Sequence, residues 1–370
     1  MPEARRGLPR AWVVGLSLGA GALMLAVLVV FTPWRLLATR VVSIPPWGWL
    51  AATLGMSATY ALRAGRLRAE WRERLTALGL DYRECLRITL MHNAAVNLLP
   101  MRSGEASYAF LLHRRWGVGL GEAAASLLWL RLQDAMVLGV LGLAILLPLP
   151  LGARLGFAVA AILAAATLVP RLVRWFHVHA RWRRARTHAH PGAAGRKAWH
   201  LLAKLAGAFR ASRGGRSAWG FAVANWVLKL GVVGALIAPL AGLHLGAGIS
   251  GALGGELAAV LPLQAPAGVG TYEAGVVLGA RSPGAPRFNT GAPEVLAAPP
   301  PFTPALAASA GRPDNAGRSM APADAAAADP RTLLVGAALA VHALMVLVAL
   351  ATALVFSLIM RADPAPESRP

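Results

Sequence analysis

The chain has a single cysteine, Cys85, so no intramolecular disulfide and no cysteine-based metal centre can form within it. Acidic residues are scarce, with 16 Asp and Glu against 37 Lys and Arg. Charge of either sign is thin: it makes up 14% of 370 residues, where a soluble protein usually has about a quarter. No phosphate-binding glycine loop and no dinucleotide fingerprint occurs. The stretch "GISGALGG" holds a serine but lacks the spacing of a nucleophile elbow. These absences argue against a soluble nucleotide-dependent enzyme or serine hydrolase.

What is present is apolar. Hydrophobic residues make up 56% of the chain, and several uncharged runs reach the roughly 20 residues that cross a ~30 Å hydrocarbon core as a helix. The composition predicts an all-α, polytopic membrane helical bundle. Full spans are expected at about 11–31, 46–62, 121–148, 154–170, 218–241 and 332–360, which makes about six. The N-terminal run resembles a signal peptide in its positive start. Its apolar stretch is about 20 residues long without a clear cleavage site, so it reads as an uncleaved first span. Trp34, Trp47 and Trp49 flank a short connection between the first two spans, as an interfacial aromatic belt requires.

The formal net charge is +21, and its distribution decides what it means. Between Arg171 and Arg216 there are twelve Lys or Arg and no Asp or Glu, more than half of the excess. A basic loop at 171–217 is what cytoplasmic orientation requires, and such loops are drawn to anionic lipid headgroups. No nucleic-acid motif accompanies it, so membrane lipid is the expected partner and nucleic acid is not. His177, His179, His188 and His190 lie in this loop. Their Arg-rich surroundings without carboxylates favour a solvated basic loop over a metal site, and no metal or cofactor is expected. Arg5, Arg6 and Arg10 place the N-terminus on the same side. Arg63, Arg66, Arg68, Arg72 and Arg74 follow the second span in an amphipathic pattern that reads as a cytoplasmic-surface helix.

Two apolar segments are broken in the middle. The first, about 85–112, contains "NLLPMRSGEA" and has basic residues at both ends. It either re-enters on the side it came from or crosses; the basic ends favour a re-entrant hairpin. The second, about 246–280, contains "LPLQAPAGVGTYEAG". Each has a Leu-Pro, then glycine, then a glutamate followed by alanine. Pro100, Gly104 and Glu105 mark the first, and Pro262, Pro266, Gly268, Gly270 and Glu273 mark the second. Proline stops a helix and glycine permits the turn. Backbone freed in hydrocarbon must be shielded by protein or line a wet cavity. With both as hairpins, both termini come out cytoplasmic and the two breaks enter from opposite faces, as in an inverted repeat. Paired interruptions of this kind point to a midplane binding site.

Arg102 and Glu105 are three apart, a spacing that lets them pair on one helix face. The bland alternative is an interfacial turn in which Arg102 reaches lipid phosphates and Glu105 caps the next helix. Arg131 and Asp134 have the same spacing inside a span, where charged pairs normally face the bundle interior. Lys229 is a further intramembrane cation. Asn97, Arg102, Glu105, Arg131, Asp134 and Glu273 form the candidate substrate site, with arginine suited to bidentate phosphate contact.

These motifs together resemble the transmembrane region of lysylphosphatidylglycerol synthases. The resemblance rests on "NLLPMRSGEASYAFLLHR", "RLQDAMVLG" and "LPLQAPAGVGTYEAG", and extends over about 10–280 and 332–360. It implies an inner-membrane role in handling phospholipid or polyprenyl-phosphate-linked lipid, and flipping in the best-known relatives. The family's polar motif positions fall on Asn97, Pro100, Arg102, Gly104 and Glu105, on Arg131 and Asp134, and on Pro266, Gly268, Gly270 and Glu273. The soluble aminoacyl-transferase domain that follows in full-length synthases has no counterpart here, so lysyl transfer is not expected.

The expected organisation is a membrane bundle at 1–280, a Pro/Ala-rich flexible insert at 281–330, a final membrane helix at 331–361 and a disordered tail at 362–370. The leading functional expectation is translocation of an anionic lipid through a polar intramembrane cavity, with no catalytic residues. The alternatives are a membrane glycosyltransferase or accessory subunit using a polyprenyl-phosphate sugar, with Glu105 or Glu273 as base, and a partner that docks a cytoplasmic enzyme on the basic loop.

Overall fold

The computed structural model describes residues 32–147, 149–186, 215–260, 268–281 and 330–362, with isolated positions between 19 and 30. Among the described residues the protein is all helical, with no strand. Most of the first expected span, the stretch 187–214 of the basic loop, most of the insert and most of the tail lie outside the described residues. So do Pro262 and Pro266.

The helices are α1 (Trp34–Ser43), α2 (Pro46–Glu70), α3 (Arg72–Ala77), α4 (Tyr82–Leu98), α5 (Ala106–Trp116), α6 (Leu120–Leu146), α7 (Leu151–Arg186), α8 (Gly215–Ala241), α9 (Leu245–Ala258), α10 (Thr271–Ala280) and α11 (Pro330–Ala362). A 3₁₀ helix, Pro100–Glu105, joins α4 to α5. Four helical stretches are long and apolar enough to cross a membrane: Leu120–Ile145, Leu151–Leu172, Ser217–Ala241 and Pro330–Ile359. They match four of the expected spans. About half of the apolar window in Ser217–Ala241 (50%) and in Pro330–Ile359 (56%) is buried within the protein, against 6% in Leu151–Leu172. α8 and α11 are therefore central, and α7 turns Leu155, Val159 and Leu163 outward, to lipid in a membrane.

Two expectations change. The connection between the first two spans contains a helix, α1, which buries Leu37. The second span does not stop at Leu62: α2 starts with Pro46 at its first turn, where a missing N–H costs nothing, and runs unbroken to Glu70. Arg63 and Arg66 thus belong to the bundle helix and not to a separate surface helix; Arg66 is only 6% exposed. Packing decides this, because nothing between Leu62 and Glu70 breaks a helix.

Both broken segments are antiparallel helical hairpins. α4 starts at Asp81, whose carboxylate accepts the Glu84 N–H (3.2 Å). α5 ends at Gly117, with φ of 62° and bonds from Gly117 to His113 and Val118 to Leu112. Between these ends the arms meet in register. Arg115 holds the Glu84 carboxylate at the base, through Nε and through Nη2 (3.0 Å). His92 Nδ1 meets Ser107 Oγ at 2.9 Å midway. At the tip Gly104 lies on the backbone of Ala95 and Val96, where a Cβ would overlap it.

The second hairpin closes more tightly. Gly254 and Gly255 on α9 face Gly275, Gly279 and Tyr272 on α10, and a Cβ on Gly254, Gly275 or Gly279 would overlap the opposing carbonyl. Small residues four apart let the two backbones touch, which is how helices associate where no water drives them together.

Candidate functional site

Both hairpins line one cavity of about 570 Å³. Its walls come from α2, α6, α8 and α11, with Asn97, Leu99 and Glu105 from the first hairpin and Glu256, Val260 and Gly268 from the second. The size falls within the range of small-ligand sites. Breaking the helices here delivers polar side chains to the centre of an apolar bundle, the one setting where irregular backbone is tolerated at membrane depth.

The wall charges are organised in ion pairs between elements. Glu105, at the end of the 3₁₀ turn, accepts from Arg131 of α6 at both Nη2 (2.7 Å) and Nε (3.3 Å). His92 Nε2 stands 3.8 Å from the same carboxylate. One turn along α6, Asp134 accepts from Arg66 Nη1 (2.6 Å) on α2 and from Trp226 Nε1 (2.9 Å) on α8. Arg66 also donates to Leu130 O and Gln133 Oε1. The anticipated Arg131–Asp134 pair exists, but at 3.8 Å it is longer than the contacts Arg131 makes with Glu105 and Asp134 makes with Arg66. The main partners lie on other helices, so the charges bind α2, the first hairpin, α6 and α8 together.

Across the cavity, Lys229 Nζ meets Glu256 Oε1 at 2.7 Å and sits 5.4 Å from the Trp226 ring. Arg63 differs from these cations. Its Nη1 donates to Asn93 Oδ1 (2.7 Å) and its Nε to Asn225 Oδ1 (3.2 Å).

Glu273 is 1% exposed and lies behind the wall. It accepts from the Gly270 N–H (2.6 Å), and its other oxygen is 2.8 Å from His342 Nδ1. Gly268 and Gly270, with φ of 81° and 86°, make the turn that points this N–H back at the carboxylate. His342 does face the cavity, and its ring stacks on Tyr272 at 4.5 Å.

Of the six candidate substrate residues, Asn97, Glu105, Arg131 and Asp134 line the cavity. Asn97 donates to the Asn93 carbonyl (2.9 Å). Glu273 touches the site through His342. The side chain of Arg102, and with it the expected Arg102–Glu105 pair, lies outside the described residues, as does that of Pro100. Among the described residues no group of three His, Cys, Asp or Glu is placed to hold a metal ion.

The family profile described as "Lysylphosphatidylglycerol synthase TM region" matches residues 12–292. The chain belongs to this family. No curated protein and no solved structure matches it. The matched range of the lysylphosphatidylglycerol synthase transmembrane-region family contains both hairpins and all three polar motifs, but ends before α11. Membership makes this a multi-pass membrane protein with a membrane-lipid-related function.

Several residues of the site were not singled out from sequence: Arg63, Asn93, Trp226, Glu256 and His342 on the wall, and Arg66 behind it. For Glu256 and His342 a signal existed, since each is an ionisable residue in an otherwise apolar membrane segment. Arg63 and Arg66 were masked by the arginines that follow them.

Proposed function

We propose that the protein moves an anionic lipid headgroup between leaflets through this cavity, while the acyl chains stay in the bilayer. The observation that carries the reading is the meeting of both hairpins around one charged cavity in a chain of this family. A polar headgroup crossing hydrocarbon loses its hydration. A cavity with preset ion pairs and amides substitutes for that hydration. Ion pairs that bridge different helices can also open and re-form as the helices shift, which alternating exposure requires. The basic residues at 171–217 and at the N-terminus support a plasma or inner membrane location with both termini cytoplasmic.

The test is reconstitution into liposomes containing acyl-labelled phosphatidylglycerol, followed by chemical quenching of label in the outer leaflet. Quenching beyond the outer-leaflet fraction is expected with the protein, and less of it with Glu105→Gln or Arg131→Gln. Quenching no greater than in protein-free liposomes would overturn the reading.

A further inference from the structure

Among the described residues, every cation on the cavity wall except one meets a carboxylate. Arg131 faces Glu105, Arg66 and Arg131 share Asp134, and Lys229 faces Glu256. Among the described residues Arg63 has no carboxylate within the 4.0 Å of an ion pair; it is held by two amide oxygens. Asn93 is set for this, because its Nδ2 donates to Thr89 O (2.7 Å) and leaves Oδ1 for the guanidinium. Asn225, 3% exposed, meets it from α8. Amides orient an arginine without neutralising it. Two of the five guanidinium N–H groups are used by the amides, which leaves three donors.

An unneutralised arginine inside a membrane bundle is costly to maintain. Here two asparagines from two helices fix its direction at a cavity wall. We infer that Arg63 is the phosphate-recognising residue and that the cavity selects lipids with a net single negative charge, a monoanionic phosphodiester headgroup, over zwitterionic and cationic ones. The described wall carboxylates already face cations of the protein, so among the described residues a headgroup amine meets no free counter-charge. A phosphodiester supplies the one charge that Arg63 lacks, in the bidentate geometry a guanidinium fits. The inference rests on the lipid-handling reading of the cavity and names its specificity.

The test separates binding from movement. Short-chain phosphatidylglycerol and short-chain phosphatidylcholine are titrated into the purified protein in detergent and read by calorimetry. Phosphatidylglycerol is expected to bind at least about tenfold tighter, and Arg63→Gln to weaken both lipids but phosphatidylglycerol far more, so that most of the difference is lost. Asn93→Asp keeps Arg63 but supplies a carboxylate, and is expected to remove the preference as well. Arg63→Lys should retain part of it. Melting in detergent identifies any variant that fails to fold, and Asn93→Asp, nearly isosteric, keeps the question answerable if Arg63→Gln does. Equal binding of the two lipids by the wild-type protein would overturn the inference. So would an undiminished preference in folded Arg63→Gln or Asn93→Asp. Glycerol phosphate binding as tightly as the lipid would overturn the lipid assignment in favour of a free anion. Selective binding without leaflet exchange would overturn translocation and leave the assignment of Arg63 standing.

Discussion

Arg131 on α6 and Glu105 at the first helix break face each other through two guanidinium–carboxylate hydrogen bonds, 2.7 and 3.3 Å long. The contact spans 26 residues of sequence and ties the end of the 3₁₀ turn to a membrane-crossing helix. Its partners are partly exposed, 38% and 20% at the side chains, so the cavity reaches them.

The pair should be thermodynamically coupled. Glu105→Ala and Arg131→Ala are each expected to lower stability in detergent, and the double variant to lose less than their sum, by about 0.5–3 kcal/mol. A double-mutant cycle on thermal or denaturant unfolding measures this. Additive losses would show that the pair forms no effective contact.

The sequence made this corner legible only in part. Pro100 and Gly104 announced the break, and the glutamate after it announced polar chemistry, because neither is compatible with a continuous lipid-facing helix. The long apolar runs at α6, α7, α8 and α11 were equally plain. The partner of each charge was not visible. Spacing along a helix suggested Arg131 with Asp134, yet Asp134 is held most closely by Arg66, 68 residues away. Local spacing carries no information about which helices will be neighbours. The buried face of α2 was hidden for a related reason. Arg63 and Arg66 stand at the start of a run of arginines, and composition alone cannot tell which of them turn inward.

Glycine in the second hairpin allows a clean contrast. Gly279→Ala places a Cβ against Ser250 and Gly254 backbone, which can yield only if α9 and α10 separate. Overpacking of this kind is expected to destabilise by about 1–3 kcal/mol. Gly156→Ala, on exposed α7 with nothing within 4 Å, should be neutral or stabilise by up to about 1 kcal/mol. Melting of the two variants side by side checks the prediction, and equal behaviour would refute close backbone contact.

His342 gives Glu273 one of its two hydrogen bonds, at a site where the side chains are 8% and 1% exposed. Removing it leaves a buried carboxylate with the Gly270 N–H. His342→Ala should therefore cost several kcal/mol, of the order of the about 3–5 kcal/mol seen when one member of a buried pair is deleted. His342→Gln keeps an N–H donor and should recover part of the loss. Unfolding in detergent distinguishes the two, and a larger loss with Gln than with Ala would count against the hydrogen bond.

The last prediction concerns how the first broken segment sits in the membrane. Glu84 is paired with Arg115 at the base of the hairpin, so the two ends of the segment lie together and the break lies at the far tip. Arg83 and Arg114, both exposed, flank that base. With Cys85 replaced by alanine, the chain has no other cysteine, so single cysteines introduced as Arg83→Cys and Arg114→Cys report one position each. A hairpin that enters and returns puts both on one face, and a membrane-impermeant maleimide should label both from the same side of sealed vesicles. Labelling from opposite sides would mean that the segment crosses, which the Glu84–Arg115 pair does not allow.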